Sequence, residues 1–262
     1  MDVHLDIWQL VMLALLTLLA PLMLAAVPYI GKRWQKKMMH PMLGISAGLL
    51  FGLVFLDIIP EGLELSTELG LSALYMSSAV LIGFFVLILI ERFMLKKGMA
   101  HGHEADGVKI KPFGSLGIAS LSVHGFMDGF AIPIGLSTST ELGLVITIAL
   151  VIHQVPDAFA ALSMAMAAGY NKKKTAMFVL LSAFDTPIGI LFGVLALYLA
   201  GATGIVGILI LLSLGFTAGT FVFVSAADII PELQHSSQSM SVSLFIVVGF
   251  VAVFGLTMLL PG

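Results

Sequence analysis

The chain has 262 residues, 12 Lys and Arg against 15 Asp and Glu, a formal net charge of -3, no cysteine and a mean hydropathy of +1.11. Its 59% hydrophobic and 10% charged residues compare with about 45–50% and about 25% in a soluble domain, and one aqueous core cannot hide that much apolar surface, so the solvent is lipid. The lack of cysteine excludes disulfide scaffolds, thiolate metal sites and cysteine nucleophiles, and the near-neutral charge without a basic face argues against nucleic acid as a partner.

A helix that crosses a bilayer needs about 20 mostly apolar residues. The first such segment, Ile7 to Gly31, holds no Asp, Glu, Lys or Arg and is followed at once by Lys32 and Arg33. It reads as a span and not a cleavable signal, because Asp2, His4 and Asp6 precede it where a signal carries a basic stretch. Further apolar segments run over 41–62, 69–91, 113–137, 142–169, 175–200, 204–230 and 241–260. The turn Gly201-Ala-Thr-Gly204 divides the uncharged run from Thr186 to Ala227. No segment alternates polar and apolar residues like an outer-membrane strand.

The expected fold is an all-α membrane protein with eight transmembrane helices in one domain over 1–262. Helices 1–3 fall at roughly 7–95, helices 4–5 at roughly 113–170 and helices 6–8 at roughly 174–260, with a cytoplasmic loop at roughly 96–112. All 12 cationic residues lie on one side of this arrangement. Lys32, Arg33, Lys36 and Lys37 sit between helices 1 and 2, and Arg92, Lys96, Lys97, Lys109 and Lys111 sit around loop 3–4. Lys172, Lys173 and Lys174 sit between helices 5 and 6. The positive-inside rule makes that side the cytoplasm, so both termini face out of a cell membrane. Loop 7–8, also inside, has no cation, and the opposite loops carry acids such as Glu64, Glu68 and Glu141.

An ionisable side chain inside hydrocarbon costs at least about 2.5–3.5 kcal/mol on insertion scales, so each one points to a pathway. Helix 4 reads His124-Gly-Phe-Met-Asp128-Gly-Phe-Ala and helix 5 reads His153-Gln-Val-Pro-Asp157-Ala-Phe-Ala. In each, the i, i+4 spacing puts imidazole and carboxylate one turn apart on one face. Two facing helices would bring two imidazoles and two carboxylates together at mid-membrane. Such a set suits a divalent cation of intermediate softness: imidazole favours zinc, iron and nickel, and the carboxylates neutralise charge. The alternative for a single pair is a structural hydrogen bond between helices. Pro156 frees the carbonyl of Ile152 and Pro133 that of Gly129, and helix 6 adds Asp185 beside Pro187. Freed carbonyls at membrane depth are tolerated where they line a polar cavity.

A second repeat is shared by helices 2 and 7, which end Asp57-Ile-Ile-Pro60-Glu61 and Asp228-Ile-Ile-Pro231-Glu232. The two helices run in opposite senses in this topology, which makes a 3+2+3 inverted repeat, the plan of many secondary transporters. Asp57 and Glu61 then fall toward the outer mouth of a path, and Asp228 and Glu232 toward the inner mouth. The alternative is that these acids cap helix ends.

These motifs resemble the ZIP family of divalent-metal transporters, over nearly the whole chain. In helix 4, His124, Asp128 and Gly129 match the family pattern and Gly125 departs from it; in helix 5, His153, Pro156 and Asp157 match and Gln154 departs. Asp185 matches the helix 6 acid. The resemblance implies that His124, Asp128, His153 and Asp157 carry the primary metal site, with Gln154 and Asp185 at positions of a neighbouring second one. It also implies movement of metal into the cytoplasm and a homodimer. Loop 3–4 carries His101, His103, Glu104 and Asp106, where family members often have a histidine-rich segment; weak metal capture and a solvated linker are both open.

The resulting expectation is a non-enzymatic transporter of divalent metal in the lipid bilayer, zinc first, with iron, manganese or cadmium also accepted and no catalytic cofactor. No GxxxxGK[ST] phosphate loop is present. The rival is a proton-coupled carrier or proton pathway that uses the same His and Asp residues without bound metal. An intramembrane metalloenzyme ranks lower, because no HExxH motif is present.

Overall fold

Lipid offers no hydrogen bonds to the backbone, so a chain this apolar must satisfy its peptide groups within helices. The computed structural model describes residues 7–30, 32–96, 112–138, 140–200, 204–236 and 240–259, and every regular element among them is helical. In chain order these are α1 (Ile7–Thr17), α2 (Leu19–Leu24), α3 (Lys32–Leu53), α4 (Ile59–Glu68), α5 (Leu74–Lys96) and α6 (Pro112–Thr138). They continue with α7 (Thr140–Ala167), α8 (Lys172–Ser182), α9 (Asp185–Ala200), α10 (Gly204–Phe223), α11 (Ile230–Ser236) and α12 (Met240–Leu259).

Among the described residues, 5 helical stretches are long and apolar enough to cross a membrane: Leu10–Tyr29, Lys37–Glu68, Leu74–Phe93, Lys172–Leu199 and Gly207–Ala227. Ser243–Met258 forms a shorter apolar helix. Large apolar side chains such as Trp8, Met23, Leu89 and Tyr198 stand exposed on the outside, as a lipid-facing surface requires. The basic residues from Lys32 to Lys37, expected in a loop, instead begin α3; Lys and Arg are good helix formers.

Prolines explain where the helices depart from the smooth segments that hydropathy marks. Pro21 cannot donate to the carbonyl of Thr17, and the first segment breaks between α1 and α2. Pro187 likewise cannot donate to the carbonyl of Ala183, and the sixth segment breaks between Ser182 and Asp185. Pro60 and Pro231 follow π turns at Val54–Ile58 and Val224–Ile229, each inserted just before the shared Ile-Pro-Glu. A π turn relieves the clash between a proline ring and the carbonyl four residues back, and it recurs at functional sites. The two copies of the repeat therefore share their backbone irregularity as well as their sequence.

Packing repeats as well. The helix α3 crosses α12 so closely that a β-carbon at Gly48 would strike the Ile246 carbonyl and one at Gly249 would strike the Ile45 carbonyl. The crossing of α10 with α5 uses Gly219 against the Val80 carbonyl and Gly83 against the Phe216 carbonyl. When the two Asp-Ile-Ile-Pro-Glu segments are superimposed in sequence, Gly48 falls on Gly219 and Ile45 on Phe216. Small residues allow such backbone contact, which holds membrane helices together by van der Waals packing. A third crossing, α6 on α9, uses Gly129 against the Thr186 carbonyl and Gly189 against the Phe126 carbonyl. The main core, with Leu50, Leu53, Leu121, Met164, Leu211 and Phe221, fills the space between α3, α6, α7 and α10.

Gly48→Ala and Gly219→Ala are expected to cost about 1–3 kcal/mol each by forcing these crossings apart. Gly255→Ala in α12, where an added β-carbon meets nothing within 4 Å, should leave stability unchanged. Thermal unfolding in detergent measures all three; an equal midpoint for Gly48→Ala and Gly255→Ala would contradict the close crossing.

Candidate metal centre

His124 and Asp128 lie one turn apart on α6, and Asp157 faces them from α7. His124 Nδ1 is 3.5 Å from Asp128 Oδ1, and His124 Nε2 is 3.9 Å from Asp157 Oδ2. The imidazole thus sits between two carboxylates, one ring nitrogen toward each. The three residues are 4%, 6% and 8% exposed, and one ligand atom from each lies within 4.8 Å of the others.

Part of this cluster is left unsatisfied by protein. Both His124 nitrogens and Asp157 Oδ1 are buried without a hydrogen-bond partner. A buried polar atom left unpaired costs about 1–3 kcal/mol, and more when charged. A divalent cation bound between the three side chains would remove that cost and offset the carboxylate charge. An imidazole with two carboxylates is a donor set that zinc accepts readily.

Neighbouring elements set this geometry. Gly129 lets α6 lie against the backbone of α9 at Thr186, which draws Asp128 inward. Pro156, whose ring frees the Ile152 carbonyl, precedes Asp157 on α7. On the far side, Phe221 of α10 meets the His124 ring edge-on at 5.0 Å and 72°. One turn before His124, the Ser120 hydroxyl donates to Thr220 Oγ1.

Asp157 also borders a small cavity lined by Gly125, Gln154, Ser182 and Asp185. The break after α8 makes Asp185 the first residue of α9, where the positive end of the helix dipole favours a carboxylate. Beside it, Thr186 Oγ1 donates to Gln154 Oε1 at 3.4 Å. A β-carbon at Gly125 would stand 3.4 Å from that of Asp185, in ordinary van der Waals contact, so this wall of the cavity has room for a small side chain.

Of the candidates read from sequence, the structure brings His124, Asp128 and Asp157 together, with Gln154 and Asp185 beside them. Asp57, in the π turn after α3, lies within electrostatic reach of Asp128, Asp157 and Glu61. Glu61, one turn further along, is exposed. The side chain of His153 lies outside the described residues, as do those of Asp228 and Glu232 and the whole of the loop with His101, His103, Glu104 and Asp106. Phe221, Ser120 and Thr220 are contacts of the site that sequence reasoning did not select; aligning α10 with α3 on the repeated segment is the signal that would have singled out the differing residues.

Residues 95–257 match the family model described as ZIP zinc transporter. The chain is 26% identical over 239 residues to zinc transporter ZIP9-B of Xenopus laevis, covering 74% of this chain and 75% of that protein. It is 26% identical over 229 residues to zinc transporter GufA of Myxococcus xanthus, covering 86% and 88%. Against zinc transporter ZIP9 of Xenopus tropicalis it is 28% identical over 177 residues, covering 63% of this chain and 55% of that protein. The chain belongs to the ZIP zinc transporter family.

Because the three-residue cluster is unpaired without a cation, replacing one carboxylate by its neutral amide removes a buried charge and a like-charge repulsion. Asp157→Asn is expected to raise the thermal midpoint of chelator-treated protein, in line with a gain of about 1–3 kcal/mol. A lowered midpoint in chelator would mean that the carboxylate is held by protein partners after all.

Proposed function

We propose that this chain, as a member of the ZIP zinc transporter family, carries divalent metal ions, zinc first, across a cell membrane into the cytoplasm. The observation that carries the reading is the buried His124–Asp128–Asp157 cluster, in which both imidazole nitrogens and Asp157 Oδ1 lack hydrogen-bond partners in the middle of apolar helices. In this reading His153 adds a second imidazole from α7. Gln154 and Asp185 line a polar chamber that the ion enters on leaving the cluster, and Gly125 contributes no ligand there. Iron, manganese and cadmium compete for the same donors, because the set is selected by imidazole and carboxylate chemistry and not by thiolate.

The arrangement proposed is eight spans in a 3+2+3 inverted repeat. Support comes from the paired π turns at Asp57 and Asp228 and from the matched glycine crossings of α3 with α12 and α10 with α5. Asp57 and Glu61 then guide cations from one side, and Asp228 and Glu232 from the other. Acidic groups along a path concentrate cations without binding them tightly, and inverted repeats allow one mouth to open as the other closes. The weak-capture role of His101, His103, Glu104 and Asp106 belongs to the cytoplasmic exit in the same scheme.

Zinc uptake into proteoliposomes tests the function. The native chain should accumulate zinc, and His124→Ala, His153→Ala and Asp157→Ala should each fall to the level of empty vesicles while still inserting. Normal uptake by Asp157→Ala would remove the cluster from the path, and proton flux without zinc flux in the native chain would favour the proton-pathway alternative. Topology has its own check, since the chain lacks cysteine. Glu61→Cys and Glu232→Cys should label from opposite faces with an impermeant thiol reagent, and labelling of both from one face would contradict the inverted repeat.

A further inference from the structure

We propose that the face of α10 and its following π turn that carries Thr217, Phe221 and Ser225 is a wall of the ion path, with Phe221 as the gate between its two hydroxyls. The inference rests on the transport reading above but is argued from different atoms. Among the described residues, the buried side-chain atoms without hydrogen-bond partners are those of His124 and Asp157, together with Thr217 Oγ1 and Ser225 Oγ. The last two lie at i−4 and i+4 from Phe221, so all three share one helix face, and Phe221 is the residue whose ring meets His124.

The register agrees. A β-carbon at Gly117 would meet Val224, and the Ser120 hydroxyl meets Thr220, so α6 and α10 run antiparallel here. Continuing that register brings Thr217 level with His124. Thr217 therefore lies beside the cluster, and Ser225 lies one helical turn past Phe221 on the side away from it.

The duplicated helix supplies an internal comparison. Thr217, Phe221 and Ser225 correspond to Ser46, Leu50 and Val54 in the α3 copy. The Ser46 hydroxyl is bonded to Ser163 Oγ at 2.5 Å and to the Met42 carbonyl at 2.9 Å, and Val54 has no polar atom. The α3 face is thus a closed packing surface, whereas the α10 face keeps two hydroxyls with no protein partner. An unmet hydroxyl in a dry core is costly, and the waters that remain on a partly dehydrated cation would satisfy it. Phe221, 1% exposed, excludes water between the two hydroxyls until its ring moves off His124.

The test uses single cysteines in the cysteine-free chain, reconstituted in liposomes and treated with a small cationic methanethiosulfonate reagent from one face at a time. The native residues at the four positions are equally buried: Thr217 1%, Ser225 0%, Ser46 0% and Val54 0% exposed. Thr217→Cys and Ser225→Cys are expected to react at least tenfold faster than Ser46→Cys and Val54→Cys, and from opposite faces. Adding Phe221→Ala should let each react from both faces, while Phe221→Leu should preserve the one-sided pattern. Equal, slow reaction at all four positions would overturn the path assignment, and reaction of Thr217→Cys and Ser225→Cys from the same face with Phe221 intact would overturn the gate. If Phe221→Ala does not fold, the single-cysteine comparisons in the Phe221 background decide both points. Zinc uptake by the native chain, measured separately, isolates any failure of the transport reading from failure of this one.

Discussion

Two carboxylates and an imidazole held together in a lipid-immersed helix bundle, with both imidazole nitrogens and Asp157 Oδ1 lacking hydrogen-bond partners, are the constraint on which this structure turns. In water such a group would be solvated at no cost; at membrane depth each ionisable side chain is a penalty that packing cannot recover. The penalty is tolerable only if something else completes the hydrogen-bonding and charge requirements of His124 and Asp157. A divalent cation would do so with one particle.

The remaining architecture serves to hold that cluster in place while leaving it breakable. Glycine-on-carbonyl crossings bring α3 onto α12, α10 onto α5 and α6 onto α9, and these supply rigidity without side-chain entropy. Prolines act in the opposite sense. A π turn at Asp57 precedes Pro60 and a break before Asp185 precedes Pro187, whereas Pro156 withholds one hydrogen bond inside the continuous α7 beside Asp157.

The helical segments and the His124–Asp128 pair were legible in the sequence because they rest on local regularities, apolar run length and a carboxylate four residues from an imidazole, and Asp157 was expected beside them, with His153, from the repeat of that motif on the next helix. The break between α1 and α2 and that between α8 and α9 were not, because hydropathy does not register which carbonyl a proline deprives of its donor. The electrostatic reach of Asp57 to the cluster depends on how α3 packs against α7, which no spacing within one helix reports. Phe221, Thr217 and Ser225 were invisible for a simpler reason: Phe, Thr and Ser are ordinary residues of membrane helices, and only the absence of a partner distinguishes these from the rest. The repeated Asp-Ile-Ile-Pro-Glu was plain in sequence, yet its shared π turn became evident only in three dimensions.

Metal bound to the purified protein tests the central claim most directly. Native protein loaded with zinc, passed through a desalting column and analysed for elemental content should retain a single zinc ion per chain at the cluster, and Asp128→Asn should retain markedly less at equal monodispersity. Equal zinc in the two proteins, or none in well-folded native protein, would contradict the account.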